Sequence, residues 1–161
     1  RNNDTMLSFI VHDTKEFMNL LLKQTAFDSF ELRQMDITTF ALFQIDGLRN
    51  KSYFPLAEQE LFAGKYCLWK EIRPFAFEII KGQKLPKSIK IIFSMPENKK
   101  ELVCAVSATY FLNITFSQNI LTCTTGCSPK IFSLDKTAEH AWDEWIISFF
   151  QKLKIAVIKQ S

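Results

Sequence analysis

Histidine and glycine are scarce in this chain: two and four residues among 161. Four glycines with no cluster exclude a Gly-rich loop of the known nucleotide-binding types, which need several in a short span. His12 and His140 alone cannot build a histidine-rich metal centre. No apolar run approaches the ~20 residues a membrane span requires, so no membrane association is expected. The N-terminus lacks a basic region followed by a long apolar core, so no secretion signal is expected. The four cysteines, Cys67, Cys104, Cys123 and Cys127, then read as reduced thiols of a cytoplasmic protein. Charge of either sign is not in excess: a net +3 neither demands nor excludes nucleic acid. The paucity of glycine and proline also argues against disorder.

What the chain does have is aromatic bulk, with sixteen Phe and three Trp. Phe is β-prone and large, which suits a sheet with helices packed on it. The length predicts one α+β domain over 6–161, with residues 1–5 read as a remnant ahead of a start at Met6.

Segments 110–116, 120–125 and 130–135 read as a three-stranded meander. Its breaks are Ser117-Gln118-Asn119 and Gly126-Cys127-Ser128-Pro129. Leu112, Ile114 and Phe116 alternate with Asn113 and Thr115, the period of a half-buried strand. Upstream, 7–11 is a short strand. Asp13 caps a helix with Glu16 three residues on, and the helix ends near Gln24. Two strands follow within 30–46, closed by the turn pair Asp46-Gly47. A short strand is predicted over 51–54, and an irregular stretch over 56–66 with a strand near Leu61. A helix over 68–81 ends at Gly82, with Pro74 expected in its first turn or at a kink. Its many apolar positions predict burial on more than one side. Segment 87–94 is a strand, and Pro96 opens a helix to about Ser107. In the last helix, capped by Asp135 or Thr137, Trp142, Trp145, Ile146, Phe149 and Leu153 form one face. The tail over 155–158 forms an edge strand or frays.

This order repeats. Each half reads strand, helix and three strands, so the fold expected is α+β: two βαβββ halves forming a mainly antiparallel sheet, plus an inserted helix and a C-terminal helix. Two such units resemble one domain of a DNA sliding clamp. Arg33-Gln34-Met35-Asp36-Ile37-Thr38-Thr39-Phe40 and the residues to Phe54 are similar to the clamp segment after its first helix. The resemblance implies a fold and carries over no functional residue. Over its whole length the chain resembles an uncharacterised family of single-domain bacterial proteins, met mostly in clostridia. The residues concerned are His12-Asp13-Thr14-Lys15-Glu16-Phe17, Asp36-Ile37-Thr38-Thr39-Phe40, Trp69-Lys70-Glu71-Ile72-Arg73-Pro74 and Ala141-Trp142-Asp143-Glu144. That resemblance implies a domain of unknown function.

Several constellations have two readings. His12 beside Asp13 could serve as a general base, or be a polar residue at an element's end. Cys123 and Cys127 could be half of a zinc site, but are more simply a strand and a turn cysteine, and no metal is expected. Lys81, Lys84, Lys87 and Lys90, followed by Lys99 and Lys100 and joined by Arg49, Lys51 and Tyr53, could form a phosphate-backbone track, or be a solvated surface. Trp69 and Arg73 offer an aromatic and basic partner surface, or a core tryptophan and an ion-paired arginine. No carboxylate pair has a spacing that singles it out for acid–base work. No cofactor is expected. The reading leans away from an enzyme, towards a binding module with a protein or nucleic-acid partner. The alternative is an enzyme or small-ligand binder with a pocket near His12, Arg73 or Cys123. Oligomeric state is not legible in the sequence.

Overall fold

A computed structural model of the chain describes residues 4–82, 84–131 and 134–160. Among these, seven strands form one sheet, β1 (Asp4–Val11), β2 (Glu31–Thr38), β3 (Leu42–Asp46), β4 (Ser88–Ser94), β5 (Ala108–Ser117), β6 (Ile120–Pro129) and β7 (Val157–Gln160). The spatial order is β3-β2-β4-β5-β6-β1-β7, and every neighbouring pair is antiparallel. Three helices accompany the sheet: α1 (Thr14–Leu22), α2 (Trp69–Ile80) and α3 (Thr137–Lys152). The α+β class with an antiparallel sheet is what the alternation predicted.

The β5–β6 hairpin is the centre of the sheet. Gln118 and Asn119 both adopt positive φ, 52° and 63°, joining the strands in a two-residue turn with Ser117 opposite Ile120. A turn of this kind matches the strand twist. Tyr110, Leu112, Ile114 and Phe116 face the helices, beside Ile89, Ile91 and Phe93 of β4 and Leu121 and Cys123 of β6. The other face of these strands carries Asn113, Thr115, Thr122 and Thr124. That one-sided pattern is why the period of two was readable.

The helices cover the apolar face. Asp13 caps α1 by accepting the Glu16 amide at 3.0 Å, as the capping pattern predicted. Trp69 is fully buried, stands 5.2 Å from the Phe93 ring and donates its indole N–H to the Leu21 carbonyl at 2.9 Å. Trp142 donates likewise to the Phe111 carbonyl at 2.8 Å. Each tryptophan thus buries a large apolar body with its one polar atom satisfied. On α3 the buried stripe is Trp142, Ile146 and Phe150, with Trp145, Phe149 and Leu153 on its half-buried flank. Phe27, Phe30, Phe93 and Phe149 interlock beneath it.

Several expectations are corrected. The predicted strand over 51–54 is a 3-10 turn at Lys51–Tyr53, and the stretch after it is a second at Leu56–Phe62. The predicted helix after Pro96 is also 3-10, Glu97–Leu102. The third strand of the meander is not formed in the described part of 130–135; Phe132 and Ser133 lie outside the described residues. Instead β6 runs on through the expected turn, because Cys127 pairs with Tyr110 on one side and Asp4 on the other. Two strands needing partners outweigh local turn chemistry. Each half therefore ends one strand short of βαβββ: β1-α1-β2-β3, then β4, the 3-10 segment, β5 and β6. Helix α2 lies at the surface with only Trp69 and Ala76 buried, and Phe75 is 67% exposed. Pro74 is its sixth residue, beyond the first turn, so the Lys70 carbonyl loses its usual amide partner. The tail forms β7, an edge strand on β1.

Candidate functional site

The pairing of β2 with β4 slips by one residue between Leu32 and Gln34, which makes Arg33 the extra residue of a β-bulge. A bulge re-aims the side chain it carries. Here it turns Arg33 along the sheet towards the end of β4. Arg33 Nε donates to Ser94 Oγ at 2.9 Å, and that hydroxyl donates to Glu31 Oε1 at 3.2 Å. Arg33 Nη1 donates to the Tyr66 hydroxyl at 3.1 Å. The guanidinium lies 4.0 Å from the centroid of the Tyr66 ring and 5.3 Å from that of Phe111. Ser94 is fully buried and Glu31 is only 7% exposed. Among the described residues, none donates to Glu31 Oε2 and none accepts from Arg33 Nη2. The chain therefore ends in one open acceptor and one open donor.

Glu31 and Arg33 both line a cleft of about 1020 Å³, a size that suits a small-molecule ligand, and Arg33 also borders a smaller depression of about 420 Å³ with Gln34, Tyr66 and Phe111. The walls of the larger cleft are the turn before β2, residues 60–70, and the 3-10 segment after β4. Gly64 stands over Glu31: a Cβ there would lie 3.7 Å from Oε2. Lys65, Lys70, Lys99 and Lys130 line the cleft, and no described carboxylate lies within ion-pair distance of any of them. Of the lining acids, Asp28 is taken by Arg73 and Glu97 by Lys100, at 2.8 and 3.0 Å. That leaves Glu31 and Glu60. Burial pushes the Glu31 carboxyl up, and Glu97 adds to this; the Ser94 bond and the charges of Arg33 and Lys100 only partly offset them.

A second arginine braces the wall. Arg49 makes a bidentate pair with Glu71, both contacts 2.8 Å, and donates to the carbonyls of Gly64 and Tyr66. Glu71 also accepts the Leu68 amide at the start of α2. Burial pushes Glu71 up, but the Arg49 and Leu68 bonds outweigh it and hold the carboxyl below its ordinary value. Arg73 clamps Asp28 through two bonds of 2.8 and 3.0 Å, tying α2 to the turn before β2.

Other predicted residues fall elsewhere. Trp69 is a core residue and offers no partner surface. Arg73 is ion-paired, as the simpler reading had it. The Arg49 side chain is 5% exposed and neutralised, so it is withdrawn from any surface track. Lys81 and Lys84 line a separate apolar groove of about 990 Å³ between α1 and α2, with Met18, Leu22, Phe77 and Ile80. Lys90 sits on the open sheet face opposite Asp36, Lys87 is exposed where its amide meets the Thr38 carbonyl, and Lys51 is exposed on its 3-10 turn. His12 is exposed, and Asp13 is spent on the helix cap. Cys123 is fully buried and its thiol is pushed far up by burial, so it is inert and closed to solvent. No group of three described His, Cys, Asp or Glu residues is placed to hold a metal. The sequence reading missed Glu31, Ser94 and Tyr66. The one signal was a Glu and an Arg two apart at a strand start; the bulge that separates their roles is not visible in letters.

Among the described residues no helix is long and apolar enough to cross a membrane. No curated protein and no solved structure matches the chain. A family model does match, over residues 20–157, and by that match the chain belongs to DUF5721, a family of unknown function.

Proposed function

We propose that this chain is a binding protein for a small phosphate-bearing molecule, held in the cleft between the turn before β2, residues 60–70 and the 3-10 segment after β4. The observation that carries this is the buried Glu31–Ser94–Arg33 chain, built on a bulge and open at both ends. A buried carboxylate lowers stability relative to an apolar residue of its size. Groups that cost stability while pointing into a cleft are what binding sites retain. Four lysines with no carboxylate partner among the described residues set the sign of the ligand. A guanidinium stacked on Tyr66 is pre-oriented, so little is lost in fixing it on a phosphate. The four thiols, all free, support a place in the reducing cytoplasm.

The test is calorimetric titration of the whole chain with inorganic phosphate, pyrophosphate, sugar phosphates, nucleoside monophosphates and a short single-stranded oligonucleotide. At least one small phosphate compound is expected to bind with micromolar Kd and to weaken as salt rises. Reversing charge in Lys99→Glu with Lys130→Glu should weaken it at least about tenfold, at roughly 1 kcal/mol per site. Lys81→Glu with Lys84→Glu should leave it unchanged. Binding of the oligonucleotide alone, or of nothing, contradicts the proposal.

A further inference from the structure

We infer that the ligand is a phosphorylated polyol, read at two points: its phosphate by Arg33 and the cleft lysines, and a hydroxyl by Glu31 Oε2. This rests on the cleft reading above and adds the second contact. The open donor Nη2 and the open acceptor Oε2 belong to one rigid hydrogen-bonded unit. Its two bonds, 2.9 and 3.2 Å, place Arg33 Nε and Glu31 Oε1 within about 6 Å of each other. The open atoms lie beyond those two, so a ligand that satisfies both ends must carry an acceptor and a donor on one molecule of sugar size, as the phosphate and a hydroxyl of a sugar phosphate are placed. Inorganic phosphate has at most one O–H as its dianion, and that O–H sits on the charged group, so donating it to Oε2 brings like charges together; a sugar phosphate holds its hydroxyls away from its charge.

The donor is a hydroxyl rather than an ammonium. Lys100 is offset by Glu97, but Arg33 and the cleft lysines Lys65, Lys70, Lys99 and Lys130 leave the surroundings of Glu31 positive, which disfavours a ligand cation at Oε2 but not a neutral O–H. A second phosphate on the ligand is disfavoured at the same place, because it would meet Glu31 itself. Gly64 leaves that approach open, since nothing but hydrogen stands where a side chain would cover Oε2. A hydroxyl on a buried carboxylate makes a charge-assisted bond in a site partly shielded from water, the condition under which such bonds discriminate most. Free sugar phosphates and the ribose phosphate of a nucleotide share this chemistry.

The experiment compares inorganic phosphate, ribose 5-phosphate and adenosine 5′-monophosphate by calorimetry, on the wild-type chain and on Glu31→Gln. In the wild type ribose 5-phosphate should bind at least tenfold tighter than phosphate. In Glu31→Gln the amide oxygen must stay on Ser94, so the NH₂ faces the ligand and the acceptor is lost. Ribose 5-phosphate should weaken about tenfold while phosphate holds or tightens, because a negative charge beside it has gone. These opposite signs distinguish recognition from a structural role, which would weaken both together and overturn the inference. Equal affinities in the wild type would overturn the hydroxyl contact while leaving the anion site standing. No binding by any of the three would overturn both. Tighter binding of the nucleotide than of ribose 5-phosphate supports the inference with a nucleotide as source, and equal binding supports it with a free sugar phosphate. Glu31→Gln should melt no lower than the wild type, because its carboxyl is one that burial disfavours when charged. The wild-type comparison stands without the variant.

Discussion

Gly47→Ala is expected to lower stability by at least about 3 kcal/mol, the upper end for overpacking, and by roughly 6–12 °C in melting temperature. A Cβ on Gly47 would lie 1.7 Å from the Leu32 carbonyl oxygen and 2.6 Å from its carbon. Both are backbone atoms, so no rotamer change relieves the clash. The Gly47 amide also donates to the Arg33 carbonyl at 3.1 Å, and its own carbonyl accepts the Cys67 amide at 2.8 Å. Gly47 thus lies directly against the bulge, between β2 and the segment that leads into α2. Opening that contact should displace Arg33, so surviving folded protein should also lose the phosphate compound. Thermal denaturation with titration of the folded fraction checks both. A midpoint within a degree or two of the wild type would contradict the packing described for this turn.

Glu71→Ala should cost about 3 kcal/mol, at the lower end for breaking a buried pair because Glu71 itself keeps some solvent. The loss has two parts. Arg49, with a side chain 5% exposed, is left charged and unpaired, and the Leu68 amide at the start of α2 loses its acceptor. Glu71→Gln keeps an acceptor for that amide and should cost about half as much. The pH dependence has a definite sign. The folded carboxyl sits below its ordinary value, so its contribution is fully present above the ordinary carboxylate range and is lost as pH falls through the folded value. Wild-type stability should therefore decline on acidification in that window, and Glu71→Gln should show a shallower decline. Urea titrations across acid pH read this out. Equal slopes for the two proteins would sink the assignment. Because Arg49 also holds the carbonyls of Gly64 and Tyr66, ligand affinity should fall with Glu71→Ala even though Glu71 is not expected to touch the ligand.

What could be read from the sequence was what is local. The Asp13 cap is decided within four residues, and it formed as read. The alternation in β5 is decided by one buried face, and it too formed. The failures came where distant chain competes with local preference. Gly126-Cys127-Ser128-Pro129 is good turn chemistry, yet it is strand, because β1 and β5 both pair there. The helix expected after Pro96 stays 3-10 at the rim of the cleft. The site is the extreme case. Glu31 and Arg33 meet Ser94 across 63 and 61 residues, and a one-residue slip in strand register decides that Arg33 reaches it. Period-two reasoning counts faces and cannot see a slip. Closeness in sequence groups Lys99 with Lys81, Lys84, Lys87 and Lys90, whereas the cleft gathers it with Lys65, Lys70 and Lys130 from three separate segments.

The most direct test is a nuclear magnetic resonance titration of the labelled chain with ribose 5-phosphate, following backbone amides and the arginine Nε–H signals. The account predicts that the shifts gather on Glu31, Arg33, Gly64, Ser94 and Lys99, with the Arg33 Nε–H among the largest. Shifts confined to Met18, Leu22, Lys81 and Lys84 in the α1–α2 groove, or no shifts at concentrations far above micromolar, would contradict it.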